Sequence, residues 1–471
     1  MRGCTSLLAL LTLAELCGGV VVSVGYSRLP APPRARRTAL VLVEESAPPA
    51  TAAPVAAADG QAAAEDSSGD SDRSTACDAI QSQLIKVKDS EAALGLVETH
   101  VDAMNEVNVA TSLHRLAVIN KRRRAGRDAL LRDQRFEKLV GAVSTHAPEL
   151  SARSVADVLW SFATLQHWPP SLLTPVLTSV SVHLEAEDFE AQHLSTMVWA
   201  LAKLECKPTK LLERIEALAA PRVSEMNTQN CANLMWGFAK LNYAPDRLMG
   251  SLPEALLQPG MLEAAKPVEV SDLALALGLT SSPGQHEPLL SALAARAGPE
   301  AALPHFSSRQ VVVLIWCFAR LKATACLPPG RIDDWVAAVR AAHEATPLLA
   351  HDARNLERSL DLLGVDSSWI KRSEMLNVWA DLAEGRRGGS RRDYTDDELK
   401  AAFDAIDADG SGDIDREELL AAIRGINAAA DDGTIGRMLT LADKDGDEEV
   451  SLDEFKKIVL LRGPGAPDAS S

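Results

Sequence analysis

With 471 residues the chain exceeds what one compact core accommodates, so two or three folded units with connecting segments are expected. Aromatics make up only 4% of the residues while Ala and Leu abound, which favours helices over sheets. The formal charge of -17 is local: residues 393–460 hold 20 Asp and Glu against 7 Lys and Arg, so most of the chain is close to neutral and nucleic acid is not excluded as its partner.

The first 45 residues have the composition of a targeting segment. Arg2 precedes a mainly apolar run from Leu7 to Val24, broken by Glu15, with small residues at Gly18, Gly19, Ser23 and Gly25. A cleaved signal suits this run better than a membrane anchor, because its 18 residues stand at the lower limit for a span, and no membrane span is expected in the mature protein. Arg28, Arg34, Arg36 and Arg37 follow among Ala, Ser and Pro, and no acid appears before Glu44. This two-part pattern resembles the leaders of plastids bounded by extra membranes, which favours a plastid over a mitochondrion, with the secretory pathway as the alternative. Residues 46–75, rich in Ala, Pro, Gly, Ser and Asp, cannot bury enough surface to fold and read as a disordered spacer.

Residues 76–370 contain a repeat. VLWSFATL around Trp160, VWALAKL around Trp199, LMWGFAKL around Trp236 and LIWCFARL around Trp316 share one pattern, and weaker copies centre on His114, Leu275 and Arg358. The intervals of 46, 39, 37, 39, 41 and 42 residues suit one helical hairpin per copy, and seven copies suffice for an all-α solenoid. Asn105, Ser151, Asn227 and Ser307, nine residues before their markers, are placed to cap the first helix. Pro169, Pro208, Pro245 and Pro328 mark where the second begins, because proline is tolerated in a first turn and not in a helix interior. Tryptophans at this spacing read as core, and Ala163, Ala202, Gly237 and Ala239 beside them allow close helix approach. The seven cysteines form no C-x-x-C pair and read as buried thiols rather than a disulfide framework or zinc site.

These L-x-W-x-F-A-K-L units of about 38 residues resemble octatricopeptide repeats and the FAST-kinase-like arrays of organellar RNA-binding proteins. NEVNVATSLHRL, from Asn105 to Leu116, is similar to the opening repeat of such arrays, whereas the RAP domain that often closes them is not recognisable. The resemblance implies that single-stranded RNA binds along one face. Candidate contacts are the basic insertion Lys121, Arg122, Arg123, Arg124 and Arg127, together with Arg153, Gln192, Gln229 and Arg309, each seven residues before a marker tryptophan. Their alternative reading is ordinary solvated surface, and no row of basic residues recurs at the repeat period.

A basic linker is expected over 371–392, flexible from Glu384 to Arg392, where Gly388 and Gly389 stand among four arginines. Beyond it, over 393–462, two twelve-residue acidic loops recur 36 residues apart, and 463–471 reads as a disordered tail. In DADGSGDIDREE the oxygens of Asp407, Asp409, Ser411, Asp415 and Glu418, with the backbone carbonyl of Asp413, are spaced to wrap one ion, and Gly412 permits the sharp turn. DKDGDEEVSLDE supplies Asp443, Asp445, Asp447, the Glu449 carbonyl, Ser451 and Glu454, but places Glu448 at the turn position, where a side chain must accept positive φ; a weaker second site is expected. The pattern matches the loop of the EF-hand family, which implies a paired helical domain with two Ca²⁺ sites and a short contact between Ile414 and Val450.

The sequence therefore points to Ca²⁺ binding that regulates an organellar RNA-binding repeat domain, the alternative being a calcium-regulated protein scaffold that binds no RNA. A protein partner of the EF-hand groove or of the solenoid is a further expectation. No enzyme is expected: the glycine loop and D-F-G of a kinase are missing, and the histidines show no metal-site spacing.

Overall fold

The computed structural model describes residues 68–300, 302–345, 348–383, 394–424 and 432–460. The leader at 1–45, most of the spacer at 46–75, residues 384–392 of the linker and the tail at 463–471 lie outside the described residues. The chain divides into two compact units, Met1–Ser281 and Ser282–Ser471. The described residues are overwhelmingly helical, and none of their helices is long and apolar enough to cross a membrane.

The first unit contains α1 (Ser68–Lys86), α2 (Ser90–His100), α3 (Glu106–Asn120), α4 (Arg124–Leu130), α5 (Gln134–His146), α6 (Ala152–Leu165) and α7 (Leu173–Ala186). It continues with α8 (Ala191–Lys203), α9 (Thr209–Ala219), α10 (Thr228–Lys240), α11 (Asp246–Leu256) and α12 (Pro267–Thr280). The helices that carry the markers, α3, α6, α8, α10 and α12, pack one on the next, and α7, α9 and α11 are likewise neighbours in sequence order. The spacer at 46–75 ends sooner than expected, because α1 already begins at Ser68. Its Cys77, Ile80 and Leu84 recur at helical spacing and are buried, which gives this segment an apolar face.

Four of the marker helices start where their caps were expected. Backbone N–H groups of Asn108, Ser154, Asn230 and Gln310 donate to the side chains of Asn105, Ser151, Asn227 and Ser307 at 2.9, 3.2, 2.9 and 3.4 Å. Pro208 and Pro245 stand one position before α9 and α11, at the cap rather than inside the first turn, while Pro169 opens a short 3₁₀ turn ahead of α7. Trp160, Trp199 and Trp236 are buried as core residues, whereas Trp316 is only partly so. A Cβ placed on Gly237 would lie 2.9 Å from the carbonyl carbon of Val198, so glycine lets α10 lie against the backbone of α8.

The ends of the marker helices repeat as faithfully as their starts. Six residues after a marker, Gln166, Glu205, Asn242 and Lys322 take left-handed conformations, with φ between 52° and 54°, and Gly364 does the same at 68°. Each terminus closes with the same two bonds; at the second copy Glu205 N–H donates to Ala202 and Cys206 N–H to Leu201. This closure satisfies the carbonyls left over at the helix end and turns the chain toward the next helix.

The second unit contains α13 (Glu287–Arg296), α14 (Ser308–Leu321), α15 (Arg331–Ala345), α16 (Ala350–Leu363) and α17 (Ser368–Ala383). After them come α18 (Asp396–Asp404), α19 (Arg416–Arg424), α20 (Asp432–Ala442) and α21 (Leu452–Val459), with the strands β1 (Asp413–Ile414) and β2 (Val450–Ser451) in the two loops. The marker helices α14 and α16 pack together as their counterparts do. A correction concerns the linker at 371–392: its first part is the body of α17, in which Trp369, Ile370, Met375, Leu376 and Trp379 are buried. These residues surround the helix instead of forming one stripe, which is the signature of a helix covered on several sides.

Two substitutions test these local rules. Gly237→Ala is expected to lower stability by about 1–3 kcal/mol through overpacking, and Glu205→Gly to raise it by about 0.5–1 kcal/mol by relieving the left-handed cap. Denaturant unfolding of the full chain followed by far-ultraviolet circular dichroism measures both.

Candidate metal centre

The two acidic loops are held by the helices that flank them. Thr395 caps α18 by accepting from the Glu398 N–H, while the Glu398 carboxylate accepts from the Thr395 N–H at 2.9 Å. Leu399, Phe403 and Ile406 on the entry side and Leu419 and Ile423 on the exit side are buried in one core, which they share with Ile435, Met438, Leu439, Phe455, Ile458 and Val459 around the second loop. The loops meet in the expected antiparallel contact, with Ile414 opposite Val450 and Asp413 opposite Ser451.

In the first loop, carboxylate oxygens of Asp407, Asp409 and Glu418 lie within 4.8 Å of one another. Backbone amides hold this like-charged group together. Asp407 accepts from Ser411 N–H at 3.0 Å and Gly412 N–H at 2.9 Å, and Asp409 accepts from Ser411 N–H at 2.9 Å. Glu418 ties the two ends of the loop: one oxygen accepts from Ala408 N–H at 2.7 Å and the other from Asp415 N–H at 3.1 Å. Asp415 in turn accepts from Glu418 N–H at 2.8 Å, so it caps α19, and the Ser411 hydroxyl donates to the Asp413 carbonyl at 2.9 Å. Gly412 has φ of 98°, as the turn position requires.

The second loop gathers Asp443, Asp445 and Asp447 within the same 4.8 Å limit. Asp443 accepts from Gly446 N–H at 2.6 Å and Glu448 N–H at 3.1 Å, and Asp447 from Glu449 N–H at 3.0 Å. Glu454 stands outside that trio but repeats the tie made by Glu418, accepting from Lys444 N–H at 2.7 Å and from the Ser451 N–H and hydroxyl at 3.0 and 2.7 Å. Glu448 adopts φ of 69°, the left-handed conformation expected of it. The negative field of Asp447, with slight loss of solvation and the charges of Glu454 and Asp443, holds the exposed Asp445 carboxyl above its ordinary range; in the first loop, hydrogen bonds from Ser411 hold Asp409 below it. Both loops offer hard oxygen donors and no nitrogen or sulfur, a set that suits Ca²⁺ and not zinc.

The expected RNA contacts fall elsewhere. Arg153, Gln192 and Gln229 are the second residues of α6, α8 and α10, which pack in succession, and Arg309 is the second residue of α14. Arg153 and Gln192 are exposed and Gln229 partly so, but Gln192 donates to Glu190 at 3.0 Å, Arg153 stands 4.0 Å from Asp157, and Arg309 stands 4.0 Å from Asp352. Arg122, Arg123 and Arg124 are exposed at the start of α4, with Arg127 partly buried inside it, so the basic insertion is a short helix and not a plain loop. Lys121 lies with its ammonium 5.8 Å from the centre of the Trp160 ring, and burial there lowers its pKa. Burial likewise pushes His114, beside Trp160, down to about 4, so it adds no charge at neutral pH.

Lys203 was not singled out from the sequence, yet its ammonium sits 5.8 Å from the Trp199 ring and 5.1 Å from the Trp236 ring, bridging two successive repeats. The signal for it is its place one helical turn after Trp199, which sets lysine and indole on one face.

Residues 396–460 match the family model described as an EF-hand domain pair. The chain is 38% identical over 71 residues to the calcium-binding protein LPS1-alpha of Lytechinus pictus, covering 15% of this chain and 22% of that protein. It is 42% identical over 70 residues to the calcium-binding protein SPEC 2C of Strongylocentrotus purpuratus, covering 14% and 46%, and 41% identical over 66 residues to parvalbumin-7 of Danio rerio, covering 13% and 61%. The chain thus spans less than two thirds of the length of these relatives. Taken with the paired loops and their oxygen donors, the match makes the C-terminal segment an EF-hand pair that binds Ca²⁺.

Replacing Glu448 by Gly is expected to stabilise the second loop by about 0.5–1 kcal/mol, since only the backbone strain is removed. Hydrogen exchange at the Val450 amide, in the contact between the loops, should slow correspondingly.

Proposed function

We propose that this chain is a calcium-responsive RNA-binding protein, in which the EF-hand pair takes up Ca²⁺ and a solenoid of octatricopeptide-like helix pairs holds single-stranded RNA. The observation that carries the calcium half is the convergence of carboxylates from Asp407, Asp409 and Glu418, and again from Asp443, Asp445 and Asp447. Asp407, Asp409, Ser411, Asp415 and Glu418, with the Asp413 carbonyl, hold one ion; Asp443, Asp445, Asp447, Ser451 and Glu454, with the Glu449 carbonyl, hold the other. Bound Ca²⁺ neutralises these groups and so offsets the repulsion among them. The RNA half is supported by the equivalent placement of Arg153, Gln192 and Gln229 on three successive helices, where side chains able to bond base edges or phosphates recur along one edge. The leader is read as directing the chain to an organelle, a plastid before a mitochondrion, and no catalytic step is assigned.

A protein scaffold is the second reading, favoured by the acidic neighbours of Arg153 and Gln192 and by the engagement of Lys121 and Lys203 with tryptophan faces. Both readings keep the calcium sites and differ in what the helix pairs hold.

Calorimetric titration of the full chain should give two Ca²⁺ equivalents, falling to one in the Asp407→Ala, Glu418→Ala double variant; an unchanged stoichiometry would remove the first site from this assignment. For RNA, about four phosphate contacts predict a loss of affinity of roughly 50-fold between about 50 and 200 mM salt, weakened further by Arg153→Ala. Filter binding with a randomised single-stranded RNA pool measures this, and failure to capture any RNA at low salt selects the scaffold.

A further inference from the structure

Sensor EF-hand pairs expose apolar surface between their helices, and here part of that surface is covered by the chain itself. Met375, Leu376 and Trp379 of α17 share one core with Phe403, Ile435, Met438, Phe455 and Ile458. Trp379 is completely buried, its ring stands edge-on to Phe455 with centroids 5.9 Å apart, and its indole N–H donates to the Met438 carbonyl at 3.0 Å. Phe403 also stands edge-on to Phe455, with centroids 5.8 Å apart. An indole with its one donor satisfied and no exposed surface is a built contact and not a loose association.

The same helix is anchored at its other end to the last helix pairs of the second unit. Trp369 stacks edge-on to His343 of α15 at 5.5 Å, and the His343 ring lies 2.6 Å from the Ser373 hydroxyl. Lys371 bridges Glu357 of α16 at 3.1 Å and Glu398 of α18 at 2.9 Å. One helix therefore touches both the repeat-type helices of this unit and the calcium-binding pair.

We propose that α17 is the resident target helix of the EF-hand pair, and that its docking and Ca²⁺ occupancy stabilise one another. Two observations fix the sign. Phe403 lies four residues before Asp407 and Phe455 directly follows Glu454, so the helices that enclose Trp379 also position the ends of both loops. In the structure with α17 docked, the carboxylates are already assembled within 4.8 Å, so the docked arrangement is the one ready for the ion. A ligand favours the state that it fits better, and by linkage the docked helix must then raise the affinity for Ca²⁺ as Ca²⁺ raises the affinity for the helix. Calcium in this chain tightens a lever onto the repeat-type helices instead of releasing a groove for an outside partner.

The inference rests on the calcium reading above, and one set of titrations separates the two. Calorimetry on the full chain compares the natural sequence with Trp379→Ala and with the milder Trp379→Phe, which keeps an aromatic ring but loses the bond to Met438. The expected result is Ca²⁺ binding in all three, about tenfold weaker for Trp379→Ala, with Trp379→Phe in between. No binding by the natural sequence would overturn the calcium reading; equal affinities in all three would overturn the coupling alone. Should Trp379→Ala fail to fold, hydrogen exchange over residues 368–383 of the natural chain decides: slower exchange on adding Ca²⁺ supports the resident helix, and faster exchange shows that Ca²⁺ expels it and overturns the proposal.

Discussion

Like charges crowded into a few ångströms are the constraint on which the C-terminal half of this structure depends. Three carboxylates in each loop approach within 4.8 Å, an arrangement that water alone would disperse. Backbone amides oppose the repulsion: in the first loop Ser411, Gly412, Ala408 and Asp415 all direct N–H groups at carboxylate oxygens. The turns that bring the amides inward use positive φ at Gly410 and Gly412 in the first loop and at Gly446 and Glu448 in the second, where Glu448 adopts it against its side chain. Loop geometry and the readiness for a doubly charged ion are thus linked through these turns.

What keeps the loops in place is apolar. Glu418 and Glu454 each reach back to the start of their own loop, and each is followed directly by a buried side chain, Leu419 or Phe455, in the common core. The short contact between Ile414 and Val450 joins the loops directly, so a shift in one is felt by the other. Such a pair responds as a unit because its ligands and its core stand on the same short helices, of eight to eleven residues.

Features that depend on residue type at fixed spacing were legible in the sequence. The loops declare themselves because calcium needs oxygen at set intervals, and the caps at Asn105, Ser151, Asn227 and Ser307 because a helix start needs a side-chain acceptor. The helix ends were not legible. Gln166, Glu205 and Lys322 take a conformation normally given to glycine, and what imposes it is the closing pair of backbone bonds, which any residue can make at a cost of about 1 kcal/mol. Lys203 was missed for a related reason: its role comes from lying over tryptophans of two repeats, and the second of these is brought to it only by packing. The sites expected for RNA also carry acidic neighbours that the spacing makes legible, Asp157 one helical turn after Arg153 and Glu190 two residues before Gln192, while the ion pair of Arg309 with Asp352 comes only from packing.

The helix at Ser368–Ala383 was hidden for a deeper reason. Amphipathic periodicity marks a helix with one buried side, whereas this helix is enclosed by α15 and α16 at one end and by the calcium-binding pair at the other, so its apolar residues circle the axis. Basic residues just beyond it drew the segment into a linker reading that its own tryptophans contradict. Burial on several sides also means that the helix cannot shift against one neighbour without disturbing the rest, since Lys371 joins Glu357 to Glu398 and Trp379 fills the space beside Phe455. A segment that reads as tether in one dimension is, in three, a helix packed against both the calcium-binding pair and the repeat-type helices of this unit.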